Sequence, residues 1–147
     1  MSRVRSLQTL WRLGLRRQLL LAEAVAALAA AAAAIAFLPF RKAVKLGSKP
    51  MRVATRSRDE LVEDICWSVK AISSRVPWRA MCFERGLAAQ WMLRRRGFDA
   101  KLVYGARLGE DEGLDAHVWV TLRDNILIGG EQAAEFQRLA VHPEWSS

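Results

Sequence analysis

Cysteine and histidine each occur only twice in this chain of 147 residues, and tyrosine once. Two cysteines cannot build a disulfide framework. With no paired-Cys spacing and two histidines, neither a zinc site nor a CxxC redox pair is available, so no metal is expected. A reducing, cytoplasmic setting follows as the default. Acids are nearly missing from one part of the chain: residues 1–58 hold Glu23 alone against 12 Lys/Arg and carry +11, whereas residues 59–147 carry −3. The basic character therefore belongs to an N-terminal arm. Such an arm suits an anionic membrane surface or an acidic protein face. Nucleic acid ranks last as a partner, because the arm lacks interleaved stacking aromatics and any reading motif.

Charge is also scarce within the arm, where Leu19 to Leu38 carries one ionisable residue in twenty. By length this segment could span a membrane. Eleven of the twenty are Ala, however, which favours a helix but offers little apolar surface. Lys/Arg flank it on both sides, so the charge pattern assigns no orientation. A helix packed on its own protein or a partner and a helix in membrane contact both fit, and Pro39 ends it. Residues 46–58, rich in Gly, Ser, Pro and charge, read as a linker. The expected division is an arm over 1–58 and a folded domain over 59–147.

The domain should open with a helix capped by Ser57 and Glu60, with Leu61, Ile65, Val69 and Ile72 as its apolar stripe. Cys66 lies beside that stripe and reads as a small core residue. After Pro77 a further helix is expected from Met81 to Arg96, stopped by Gly97. Cys82 falls in its first turn, where free backbone N–H groups and the helix dipole favour a thiolate and hence a nucleophile. A buried Cys capping a helix against the core is the plainer alternative. Gly86 and Ala89 follow on the same face, small enough for a strand to come close.

The period then changes from 3.6 to 2. Strands are expected over Ala100–Arg107, in "AHVWVTL" and in "ILIGG", the last two joined by Arg123, Asp124 and Asn125. With a three-residue loop and Asn125 left-handed, Leu122 faces Ile126 and His117 faces Glu131, a carboxylate placed to orient the ring. A two-residue loop of Asp124 and Asn125 puts Gln132 there instead. Asp115 shares the face of His117 and is the reserve acid. A lone His on a strand is otherwise a satisfied core residue.

Together "VPWRAMC", "RRRGFDAKLVYG", "AHVWV", "ILIGGEQAAEF" and the "LPF" that closes the first helix resemble the peptidase half of the lasso-peptide biosynthesis B protein, a branch of the transglutaminase-like cysteine peptidases. The resemblance implies an α+β, transglutaminase/papain-like fold, with a nucleophile helix on a small antiparallel sheet. It implies removal of the leader from a ribosomally made precursor peptide, with Cys82 as nucleophile, His117 as base, Glu131 as the acid and Trp78 lining the substrate cleft. No cofactor is implied. The implied partners are the precursor, a separate leader-recognition protein and the macrolactam cyclase. Another transglutaminase-like acyl transferase, or an adaptor anchored in a membrane by residues 19–38 and without catalysis, are the rival readings.

Overall fold

The computed structural model describes residues 11–46, 59–77 and 81–143. In chain order the elements are helices α1 (Leu15–Phe37), α2 (Phe40–Leu46), α3 (Asp59–Ser73) and α4 (Cys82–Arg94), then strands β1 (Ala100–Leu108), β2 (Leu114–Leu122), β3 (Asn125–Ile128) and β4 (Gln137–His142). A 3-10 turn, Ala133–Glu135, precedes β4. The expected cap at Ser57 lies outside the described residues.

Helix α1 starts where the Gly14 carbonyl accepts from the N–H groups of Arg17 and Gln18, at 2.9 and 3.2 Å. It stops at Leu38, whose backbone turns extended ahead of Pro39 as the proline requires. One side of it, Leu20, Ala24, Leu28 and Ala31, is buried against α3 and α4. Alanine keeps those helices close, and burial of Leu20 and Leu28 contributes about 2 kcal/mol each. Two sets of charges fasten it: Arg96 Nη1 and Nη2 bond both Glu23 oxygens at 2.8 and 2.5 Å, and Arg16 and Arg17 reach Asp64 at 3.2 and 3.1 Å. The packing thus crosses the division at residue 58, and α1 supplies part of the one main core.

The sheet is antiparallel throughout, in the order β3-β2-β1-β4. Strands β1 and β2 pair without interruption from Ala100↔Leu122 to Leu108↔Leu114. Helix α4 lies on the face that carries Leu102, Val118 and Val120. Gly86 makes this possible, since a Cβ there would stand 2.8 Å from Leu102 Cδ1 and 2.9 Å from Val118 Cγ1. Alternation along the strands turns Val103 and Trp119 the other way, where they form a second, smaller cluster with Ala133, Phe136 and Val141. Strand β4 was not expected from the sequence. Its position is held by Gln90, fully buried in α4, whose amide donates to the carbonyls of His142 at 2.7 Å and Ala100 at 3.3 Å.

Candidate active site

Cys82 is the first residue of α4 and is half-buried. The helix begins there because Met81 takes an extended backbone and its N–H donates to Glu84 Oε2 at 3.0 Å, which satisfies one donor of the helix end. The other thiol is different in kind. Cys66 is buried inside α3, and loss of solvation pushes its pKa up to about 11, so it stays protonated at neutral pH.

His117 lies in the middle of β2. Its neighbour Val118 meets α4, so the imidazole emerges on the opposite face, 6.0 Å from the Trp119 ring and 5.1 Å from that of Phe136, centroid to centroid. Its Nε2 lies 2.8 Å from the Gly129 carbonyl oxygen. A carbonyl only accepts, so Nε2 carries the proton and, in the neutral ring, Nδ1 holds the lone pair. Gly129 can approach because it has no side chain and adopts φ +80; a Cβ would be 2.7 Å from the Val118 oxygen. Gly105 serves the same box, since a Cβ there would meet the Trp119 ring at 2.8 Å.

The hairpin between β2 and β3 corrects the expected register. Its turn is Arg123–Asp124, with Leu122 paired to Asn125, and the left-handed residue is Arg123 (φ 55) instead of Asn125. A bulge then shifts the pairing so that Val120 faces Ile128. Extended further, that register would bring Glu131 opposite His117. The strand does not extend: Gly129 turns the chain out of the ladder, and Glu131 is exposed in the turn that follows. Among the described residues no hydrogen bond or ion pair joins Glu131 to the ring, and the group that orients the imidazole is a backbone carbonyl.

A family model for the transglutaminase-like superfamily matches residues 24–141, most of the chain. The chain belongs to the transglutaminase-like superfamily. Neither the curated proteins nor the solved structures compared with it gave a match. The α+β arrangement of helices on an antiparallel sheet is consistent with this superfamily's fold, and membership points to a cysteine peptidase or acyltransferase kind of activity. The matched range begins inside α1, which accords with the packing of that helix in the core.

Within this transglutaminase-like fold the other expected site residues separate. Asp115 is occupied by Arg107, its cross-strand partner, at 3.5 Å, and Arg107 also bonds Glu135 and lies 4.7 Å over the Phe136 ring. Trp78 lies outside the described residues. Cys82 and His117 are not joined: α4 covers one face of β2, the imidazole leaves the other, and no hydrogen bond links them among the described residues. His142, the second histidine, is the cross-strand partner of Leu102 and so shares the face of α4. Its carbonyl meets Gln90, which is two turns, roughly 12 Å, along α4 from Cys82. Among the described residues no group of three or more His, Cys, Asp or Glu converges to hold a metal ion.

Proposed function

We propose that this transglutaminase-like chain is a leader peptidase of lasso-peptide biosynthesis, with Cys82 as nucleophile and His117 Nδ1 as base. One observation carries the reading. Of the two thiols, the one that is accessible opens α4, while the other is sealed in the core. The motifs around Pro77–Phe136 support the finer assignment to the lasso-peptide branch, as does "LPF" at the end of α1.

In this mechanism Nδ1 takes the thiol proton and the sulfur attacks the carbonyl carbon of the last leader residue. The oxyanion meets the Cys82 backbone N–H, which has no partner within the helix, and one further donor. The C–N bond breaks as Nδ1–H protonates the departing amine, which becomes the N-terminus of the core peptide. Water then hydrolyses the thioester, and the leader leaves with a new carboxylate. The Gly129 carbonyl fixes the tautomer that leaves Nδ1 basic. As a dipole it stabilises the imidazolium less than a carboxylate does. The structure does not bring the two groups together, because α4 and the imidazole lie on opposite faces of β2; the pairing of Cys82 with His117 rests on the motifs, and the variants below test it.

The test is cleavage of a co-encoded precursor by the purified chain, with and without a leader-binding protein. Cys82→Ala should abolish cleavage. His117→Ala should lower it by about 10²–10⁴, whereas Cys66→Ala and His142→Ala should leave most of it. Iodoacetamide should label Cys82 and spare Cys66 in the folded protein. Retained cleavage in Cys82→Ala, or loss in His142→Ala but not in His117→Ala, would reject the assignment. The same thioester met by an amine in place of water would make the enzyme an acyl transferase, and product mass separates the two.

A further inference from the structure

Among the described residues the outer side of α1 has no partner. Leu15, Leu19, Ala22, Ala26, Ala29, Ala33 and Phe37 succeed one another at steps of three and four, which places them on one face, and all are exposed. Every exposed residue from 19 to 38 is apolar. The two ends carry large aromatic side chains in water: Trp11 is 84 % and Phe37 85 % exposed. They also carry cations. Arg12 stands before the helix, and Arg41, Lys42 and Lys45 follow it in α2; all four are exposed and lack an ion-pair partner among the described residues. The one acid between residues 11 and 46, Glu23, faces inward to Arg96.

We infer that this face docks flat on an anionic lipid bilayer, α1 lying in the headgroup region while its inner side stays in the protein core. The charge pattern selects this occupant. A second copy of the chain would bring its own basic ends against these. A protein partner gains specificity from roughly one hydrogen bond per 100–200 Å², and the face between residues 19 and 38 offers it no exposed polar side chain. A bilayer needs none: it takes Trp, Phe and Leu at the headgroup level and meets Lys and Arg with anionic lipid. Spanning is a different geometry, because crossing would strip Leu20, Ala24, Leu28 and Ala31 from the core and break the Glu23–Arg96 pair.

The experiment is sedimentation of the full chain with phosphatidylcholine vesicles, with and without phosphatidylglycerol. Binding should be about tenfold stronger with phosphatidylglycerol and should weaken as salt is raised. Ala29→Glu, or Ala33→Glu if the first variant melts differently from the wild type, should lower it about tenfold, and Arg41→Glu with Lys42→Glu should remove its salt dependence. Three outcomes of the vesicle experiment overturn the inference. They are no sedimentation with either vesicle, equal binding by folded variants carrying Glu on this face, and binding that survives alkaline extraction as a spanning helix would. Self-association lost in Ala29→Glu without vesicle binding would assign the face to a second copy and likewise overturn it.

Discussion

The imidazole of His117 is oriented by a backbone group, and this explains what the sequence could and could not disclose about the site. The place of Cys82 at a helix start was legible because Pro77 breaks the preceding helix, whereas the Glu84 side chain that bonds the Met81 N–H was not read as a cap. A carbonyl has no letter of its own. Its only trace was "GG" at Gly129 and Gly130, a pair that reads as the end of a strand, and Glu131 beside it drew the assignment. Gly129→Ala tests the arrangement. A side chain there is strained at φ +80 and meets the Val118 oxygen at 2.7 Å, so the segment must move off the ring. The expected cost is about 1–3 kcal/mol, with a change in the imidazole ¹⁵N shifts that report which nitrogen is protonated. Gly113→Ala is the control, since a Cβ there meets nothing within 4 Å, and it should stay within about 0.5 kcal/mol. Unaltered ring shifts in Gly129→Ala would mean that the carbonyl does not set the tautomer.

Helix α4 and strands β1 and β2 match their sequence pattern to within about two residues, because each has a strong period and a clear stop. What escaped lies at the edges of the sheet: β4 as an element, and the register of β3. Strand β4 is half-exposed along its second half and exposed along its first, so its residues show no alternation to read. Strand β3 has only four residues and a bulge, and a bulge moves the register without altering composition. The contact on which the site depends is instead central, where α4 crosses β1 and β2 at Gly86. In Gly86→Ala two effects oppose each other. The helix gains about 1 kcal/mol in propensity, while the new Cβ stands under 3 Å from Leu102 and Val118, both buried too deeply to yield freely. Overpacking of this kind costs about 1–3 kcal/mol, so the net expectation is a loss of about 1 kcal/mol. On the proposed mechanism activity should fall further, by up to about a hundredfold, because the helix that is lifted carries Cys82. Denaturant unfolding and cleavage rate measure the two parts. A stabilised, fully active Gly86→Ala would show that the helix does not need this close approach.

Taken over the whole molecule, the charge asymmetry between residues 1–58 and the remainder suggested an appended arm, and charge is also what joins the two. The arm has one acid, Glu23, and it bonds Arg96 at the end of α4; the domain in turn offers Asp64 to Arg16 and Arg17. Composition gives the sign of each region but not which groups meet, so the sequence left a helix packed on protein and a helix in membrane contact both open. The junction should be sensitive to acid in one direction. Hydrogen bonding to Arg96 holds the Glu23 carboxyl below its ordinary value of 4.5, against the opposing effect of burial. A depressed folded-state value means that the carboxylate contributes stability above about pH 4.5, and the contribution disappears as pH falls through the folded value. Glu23→Gln keeps the size of the side chain and removes the charge. At pH 7 it should cost about 1–2 kcal/mol, the range for a hydrogen bond to a charged group that is partly exposed, and lower Tm by several degrees. As pH falls below 4.5 and on through the folded value the wild type loses the same contribution, so the two melting curves should converge. A gap in Tm that is equal at pH 7 and at pH 3.5 would show that Glu23 acts through packing alone, and that α1 is held to the molecule by its apolar side.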